Sequence, residues 1–469
     1  MMSALALSDI ALAVGGHLEG DARFDHVCTD TRTLQAGDLF VALVGDNFDA
    51  NSFVAQAANS GAVAAVVSRR PELSSSENSP EKSNPEQSIP HLLVGDTRVA
   101  LGCIARSNRR QFTGPVIALT GSAGKTTCKE MIASILAECG LVLSTRGNLN
   151  NEIGVPLTLL EISQEHQYAV IEMGASRAGD IEYLAQFVEP DVALVTNAMP
   201  VHVASFGGIE TIAQTKGEIF KSLAVDGIAV INLDDPHASQ WQQQAAGRRV
   251  FHFSKDNSQA EVYARNIQLH SSGETSFTLC SVDGEVEIQL ALLGEHNIQN
   301  ALAASASAIA ADATLDQVKC GLAKVRPVAG RLKSICLPGL RVIDDSYNAS
   351  PGSVKAAIDV LVSFSGRRCL LLGTMGELGA EAERLHREVA SYARDKGVEQ
   401  FIVVGEFAEM MAQVFGPPAS SFKTMDNLLA VLNKQLCADV VLVKGSRFTR
   451  MERVVDTLVK RPENNRGER

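Results

Sequence analysis

Cysteine pairs of the kind that build zinc sites are missing. The nine cysteines, at positions 28, 103, 128, 139, 280, 320, 336, 369 and 437, include no Cys-x-x-Cys and are odd in number. That excludes a zinc site or a disulfide framework, and the cysteines read as small buried hydrophobes in a reducing compartment. Basic charge is also short. A formal net charge of −12 provides no cationic stripe to release counterions from a nucleic-acid backbone, so no nucleic-acid partner is expected, although local patches can still hold small anions. No apolar run approaches the roughly 18 residues that a membrane span needs. The opening Met1-Met2-Ser3-Ala4-Leu5-Ala6-Leu7-Ser8-Asp9 lacks a basic n-region. No transmembrane segment and a cytoplasmic location are therefore expected. Nor is there a coiled coil or internal repeat that asks for an oligomer, and a monomer is expected.

What is there is an ordinary α/β composition, 45% apolar and 20% charged with 37 glycines, in a chain of 469 residues. That length supports about three domains. The most informative stretch is Val116-Ile117-Ala118-Leu119-Thr120-Gly121-Ser122-Ala123-Gly124-Lys125-Thr126-Thr127. Its apolar start reads as a buried parallel strand, and the residues after Thr127 keep apolar positions at helical spacing. A glycine turn between strand and helix aims backbone N–H groups and a helix N-terminus at one point, which suits a phosphate. Gly121, Ser122, Ala123, Gly124, Lys125, Thr126 and Thr127 are thus candidate nucleotide contacts. Lys125 can reach a terminal phosphate, and the Thr126 hydroxyl can ligate Mg²⁺. The spacing Gly-x-x-Gly-Lys-Thr is two residues shorter than the usual phosphate loop, with Leu119 where the longer motif has its first glycine.

Taken in order, residues 4–16 predict a short helix with Leu5, Ile10, Leu12 and Val14 on its apolar face. Strands follow near Val27, at 38–43, at 62–67 and at 91–94, with a helix at 53–58. Asp30-Thr31-Arg32 offers a carboxylate, a hydroxyl and a guanidinium to an anionic polar ligand, or a surface ion pair. Residues 71–90 are polar and strand-free and read as a disordered insertion. Beyond the phosphate loop, the polar stretch 145–154 carries Asn148, Asn150 and Asn151. Their amides suit a sugar, an amide or phosphate oxygens, or simply turn formation. Strands 168–171 and 192–195 end at Glu172 and shortly before His202, where an open parallel sheet collects its ligands and a cation its carboxylate. The shorter alternating runs of 250–292 predict an antiparallel extension. Strands at 341–345, 369–373, 401–405 and 439–446, separated by helices, predict a second, smaller doubly wound sheet.

Several of these stretches resemble the Mur ligases, the ATP-dependent amino-acid ligases of peptidoglycan precursors. The shortened loop 120–126 is similar to theirs. So are Gly147-Asn148-Leu149-Asn150-Asn151-Glu152-Ile153-Gly154-Val155-Pro156, Thr215-Lys216-Gly217-Glu218-Ile219-Phe220 and Asp344-Asp345-Ser346-Tyr347-Asn348-Ala349-Ser350-Pro351. Met375–Gly379 and Val443–Arg447 add to the match. The resemblance covers nearly the whole chain apart from 71–90, and leans to the branch that joins D-alanyl-D-alanine to UDP-N-acetylmuramoyl-tripeptide.

That resemblance implies an α/β protein of three domains: a small mixed α/β N-terminal domain (1–97) for the UDP-sugar-peptide, a central P-loop ATPase-like, mostly parallel sheet (98–328), and a C-terminal Rossmann-like domain (329–469) that binds the dipeptide and closes on ATP. Lys125 would hold the transferring phosphate. Thr126, Glu172 and His202 would hold Mg²⁺, and Lys216, which matches a position carbamylated in related ligases, would help hold a second Mg²⁺. Asn297 matches an adenine contact, Arg331 an arginine that reaches the ATP phosphates, and Asp345 a residue on the ribose side. Asp30, Thr31, Arg32, Asn148, Asn150 and Asn151 would bind the UDP-sugar-peptide, and Tyr347, Asn348 and Ser350 the dipeptide. The implied reaction phosphorylates a peptide carboxylate and lets an amine attack the acyl phosphate. Two other readings compete: a nucleotide-driven switch, which has no need of the amide-rich loop, and a related Mur or folylpolyglutamate-type ligase for another amino acid.

Overall fold

The computed structural model describes residues 2, 4–45, 47–71, 89–200, 206–270 and 273–461. The insertion read at 71–90 therefore lies almost wholly outside the described residues. Three sheets organise three successive α/β domains. In the first, His17–Glu19 pairs antiparallel with His91–Leu93, and Ala64–Val67, Leu39–Val41 and Val27–Cys28 continue in parallel. The first helix begins only at Leu7, because Leu5–Ala6 pairs as a strand with Arg23–Phe24. This start rotates the expected apolar face. Leu7 and Ile10 are buried, whereas Leu12, read as a core position, points outward at 88% exposure.

The central sheet has nine strands, in the spatial order 142–144, 168–172, 116–120, 192–195, 228–232, 249–254, 262–269, 275–281 and 284–290. All neighbours are parallel up to Val262–Leu269, and only the last two pairings are antiparallel, so the extension expected over 250–292 begins at 262, because Arg249–Ser254 pairs in parallel on both sides. Val116–Thr120 is third in this order, paired on both sides and buried along its whole length, which is why residues 116–119 read as an unbroken apolar run rather than an alternation. The helix it feeds, Lys125–Leu136, buries Cys128, Met131, Ile132 and Ile135 at helical spacing. Against it lies the Ala-rich helix His296–Ile309, whose small side chains at 301, 304 and 308 are buried. Helix Leu315–Lys324 packs on it as well. A Cβ on Gly321 would stand 2.4 Å from Ile135 Cα, so only glycine permits the approach. Helix Thr97–Arg109 packs on both Leu7–Val14 and the central-domain helix Gly154–Leu160, so the first two domains share one apolar cluster.

The third sheet runs 333–337, 340–345, 440–444, 368–373, 400–404, 419–422, parallel except at its first pair. Two edge strands had no clear signal beforehand. Lys333–Leu337 is joined to Leu340–Asp345 across Pro338-Gly339, with Gly339 at φ +70, the left-handed position such a turn requires. Ala419–Phe422 is short and polar. Among the cysteines, all nine are free thiols, but Cys320 and Cys336 are exposed rather than buried as expected. No helix among the described residues is long and apolar enough to cross a membrane.

Candidate active site

The strand Val116–Thr120 delivers its loop to a cavity of about 840 Å³ between the central and third domains. Its walls are the loop itself, the amide-rich stretch 148–152, the strand end and turn 172–180, the start of helix His296–Ile309, and four third-domain segments around Arg331, Asp345–Ser353, Gly376–Leu378 and Lys444. The two loop glycines are fixed by different constraints. Gly121 adopts φ +152, and a Cβ there would lie 1.9 Å from Thr196 Oγ1. Gly124 adopts φ +80 at the helix N-cap, and its Cβ would meet Asn300 Oδ1 at 2.3 Å.

The loop's donors divide into two groups. Ser122 N–H donates to the Asn197 carbonyl (3.0 Å) and Ala123 N–H to Asn197 Oδ1 (2.9 Å), so these two amides are held internally. The N–H groups of Lys125, Thr126 and Thr127 belong to the first helical turn and have no intrahelical acceptor, leaving them free to meet a phosphate. Lys125 Nζ donates back to Gly121 O at 2.7 Å. Burial lowers its pKa, Glu172 opposes that shift, and the Arg331 guanidinium adds to it.

Arg331 reaches in from the third domain. Its Nη2 donates to Thr126 Oγ1 at 3.0 Å, and its guanidinium lies over the Tyr347 ring at 4.5 Å. The segment carrying it is tied down by adjacent carboxylates. Gly330 N–H donates to Asp344 Oδ2, and Leu332 N–H to Asp345 Oδ1. Asp345 also pairs with the buried Lys444 at 2.5 Å, so both of its oxygens are engaged. Burial pushes the Asp345 carboxyl up, with Lys444 opposing.

Glu172 is 1% exposed at the end of its strand. Its Oε1 accepts from Asn150 Nδ2 at 2.8 Å, while among the described residues Oε2 has no hydrogen-bond partner. A dry, orphaned carboxylate oxygen in the same cavity as the Thr126 hydroxyl fits a hard cation. No group of three His, Cys, Asp or Glu residues forms a cation cage among the described residues. That sparse donor set suits Mg²⁺, which takes one or two protein oxygens and completes its shell with phosphate and water. His202 lies outside the described residues. Lys216 lies in the last turn of the helix Ile209–Gly217, 2% exposed, with Nζ 5.8 Å from the Phe206 ring centroid. Burial, then the nearby Lys125, lowers its pKa to about 7, against the pull of Asp180 and Glu218. An amine that is partly neutral near pH 7 is what carbamylation by CO₂ requires.

The structure brings Asn148, Asn150, Asn151, Asn297, Tyr347, Asn348 and Ser350 to the cavity wall. Some of their polar groups have local tasks. Asn151 Oδ1 accepts Gly154 N–H at 2.9 Å, and Ser350 caps the helix Pro351–Val362. Asn297 bridges Leu293 O and Asn300. Asp30, Thr31 and Arg32 are not on this cavity. Asp30 and Arg32 form a bidentate exposed pair, and that guanidinium holds the Asp30 carboxyl down at about 2. Asn197 and Lys444 were missed by sequence reasoning. Both sit at or just beyond the carboxyl end of a parallel strand, the one signal that pointed to them.

Three family models match the chain: the Mur ligase family catalytic domain over residues 23–109, the Mur ligase middle domain over 119–308, and the Mur ligase glutamate ligase domain over 330–447. The UDP-N-acetylmuramoyl-tripeptide–D-alanyl-D-alanine ligase of Escherichia coli (strain K12) is 42% identical over 463 residues, 97% of this chain and 99% of the relative. The crystal structure of MurF from Acinetobacter baumannii superposes with a TM-score of 0.88 at 34% identity, covering 98% of this chain and 100% of that one. MurF ligase from Thermotoga maritima, solved in complex with ADP, gives a TM-score of 0.79 at 28% identity, covering 93% and 97%. The shortened phosphate loop, the arginine that crosses to it from the third domain and this end-to-end likeness have one explanation: the chain belongs to the Mur ligase family.

Proposed function

We propose that the chain is an ATP-dependent ligase that joins D-alanyl-D-alanine to UDP-N-acetylmuramoyl-tripeptide, releasing ADP and phosphate, in peptidoglycan precursor synthesis. The observation that carries this reading is the contact of Arg331 with Thr126. It brings the third domain onto the phosphate loop beside one shared cavity, in a chain that matches tripeptide–dipeptide ligases over almost its full length. We take the domains as 1–97 for the UDP-sugar-peptide, 98–328 for ATP and 329–469 for the dipeptide.

The chemistry follows from charge. A carboxylate is a poor electrophile and repels the γ-phosphate, so two anions must be brought together. Lys125 and the free N–H groups of Lys125–Thr127 bind the phosphates, and Arg331 approaches from the opposite wall. The substrate carboxylate oxygen attacks the γ-phosphorus and ADP leaves, giving an acyl phosphate. The dipeptide amine then attacks the acyl carbon, and the tetrahedral adduct expels phosphate. Closure of the third domain onto the second during the reaction would keep water from the acyl phosphate. Thr126 and Glu172, with His202 and a carbamylated Lys216, would hold Mg²⁺, which when bound neutralises triphosphate charge. Asn297 faces the adenine, Asp345 and Lys444 the ribose side, Asn148, Asn150 and Asn151 the sugar-peptide, and Tyr347, Asn348 and Ser350 the dipeptide. Asp30, Thr31 and Arg32 would contact the nucleotide end of that substrate, outside the main cavity. A reaction that consumes ATP and joins small molecules fits a cytoplasmic monomer.

The test is phosphate release from ATP with UDP-N-acetylmuramoyl-tripeptide, with and without D-alanyl-D-alanine. Release should require both acceptors. Release that ignores the dipeptide favours a switch, and efficient replacement of the dipeptide by a single amino acid favours a related Mur or folylpolyglutamate-type ligase.

A further inference from the structure

His386, on the helix Ala382–Asp395 behind the cavity, is wholly buried and is bonded at both ring nitrogens to backbone. Nδ1 lies 2.6 Å from Ala382 O, which can only accept, so Nδ1 carries the proton. Nε2 is then the acceptor for Met375 N–H, at 2.9 Å. The ring stacks on Phe407, centroids 4.3 Å apart. Burial lowers the pKa of His386, which favours this neutral form.

Met375 opens the loop whose next three residues, Gly376, Glu377 and Leu378, line the cavity. Within it Glu377 holds φ +62, a left-handed conformation that a non-glycine residue keeps only when its surroundings impose it. The two residues before it are fixed by buried partners. Met375 is held by His386. Gly376 N–H donates to Ser446 Oγ at 2.6 Å, and Ser446 Oγ in turn donates to Ala349 O at 3.3 Å. Ala349 belongs to the facing wall, between Asn348 and Ser350. A buried imidazole and a buried hydroxyl thus set the gap between the two third-domain walls.

We propose that His386 and Ser446 are positioning residues that hold the Met375–Leu378 loop against the Asn348–Ser350 loop and so shape the dipeptide subsite. The proposal rests on the dipeptide binding in the third domain. Neither residue touches the phosphate loop, so ATP handling is not their task.

The test compares His386→Leu, which keeps apolar volume against Phe407, with His386→Gln, whose amide oxygen can still accept Met375 N–H. In steady-state kinetics His386→Leu should raise the KM for D-alanyl-D-alanine by on the order of ten- to a hundredfold. The KM values for ATP and for the tripeptide nucleotide should stay within about twofold, and the Gln variant should restore most of the loss. Ser446→Ala should show the same selective rise. Equal rises in all three KM values, or a dipeptide KM unchanged in both His386→Leu and Ser446→Ala, overturn the proposal. Amide exchange at Met375 and Gly376, measured on the full chain without substrates, should quicken in His386→Leu. Unchanged exchange also overturns it, and this readout holds even if the substrate were a different amine.

Discussion

Arg331 Nη2 donates to the Thr126 hydroxyl at 3.0 Å across 205 residues of sequence, joining the third domain to the phosphate loop. The guanidinium occupies the hydroxyl that a cation would need, and it leans on Tyr347. On nucleotide binding it has a short path from Thr126 to the phosphates.

Replacing Arg331 by Ala should lower kcat by about 10²–10³ while leaving the KM for the tripeptide nucleotide nearly unchanged. Lysine should not rescue, because one ammonium cannot both stack on Tyr347 and present a planar fork. Lys125→Ala should abolish turnover with far-ultraviolet dichroism unchanged. An undiminished kcat in Arg331→Ala, or retained turnover in Lys125→Ala, removes the phosphate role assigned to that residue.

Glu172→Gln keeps the shape and the bond to Asn150 but removes the charge from the orphaned oxygen. The Mg²⁺ concentration for half-maximal activity should rise about 10–100-fold. An unchanged Mg²⁺ dependence would exclude Glu172 as a ligand.

Asp345 and Lys444 form a buried pair, so removing one partner strands the other. Lys444→Met should cost about 3–5 kcal/mol in denaturant unfolding, and the double variant Asp345→Asn/Lys444→Met distinctly less than the sum. Additive costs would mean that the two side chains do not act as a pair.

Lys216, lowered to about 7, makes a pH prediction whose sign is fixed by linkage. Between about 7 and its unfolded value of about 10.5 the unfolded chain binds the proton that the folded chain sheds. Stability from this group is therefore present above the unfolded value and is lost as pH falls towards 7. In CO₂-free buffer Lys216→Met should flatten that part of the stability–pH curve. With ¹³C-bicarbonate, a carbamate carbon signal should appear for the native chain and be absent for Lys216→Met. No signal at pH 8 argues against the modification.

Gly124→Ala must place a side chain at φ +80 and 2.3 Å from Asn300 Oδ1. It should cost about 1–3 kcal/mol and weaken ATP binding measured by calorimetry. Gly247→Ala is the control, since it shares a positive φ, +83, but has nothing within 4 Å of its Cβ.

Much of the fold was legible because buried parallel strands announce themselves. Residues 116–119, 192–195 and 440–443 are unbroken apolar runs, as a sheet covered on both faces permits. The edge strands were not legible, since His17–Glu19 and Ala419–Phe422 are short, polar and specified by their neighbours' hydrogen bonds. Leu12 was misread because an apolar stripe depends on where the helix begins, and strand pairing at Leu5–Ala6 moved that point.

By itself the sequence determined the local geometry: a strand, a glycine turn and a lysine opening a helix aim backbone N–H groups and a helix N-terminus at one point, since backbone sterics and helix polarity act over a few residues. It also determined that Glu172 ends a strand where ligands gather. Only the tertiary structure decided that Arg331 meets Thr126, that Asp345 is committed to Lys444, that Asn197 holds two of the loop's amides, and that His386 stands behind the Met375 loop. These contacts join residues far apart in the chain through burial and domain packing, and no local pattern encodes which distant partner will fill a given hydrogen bond.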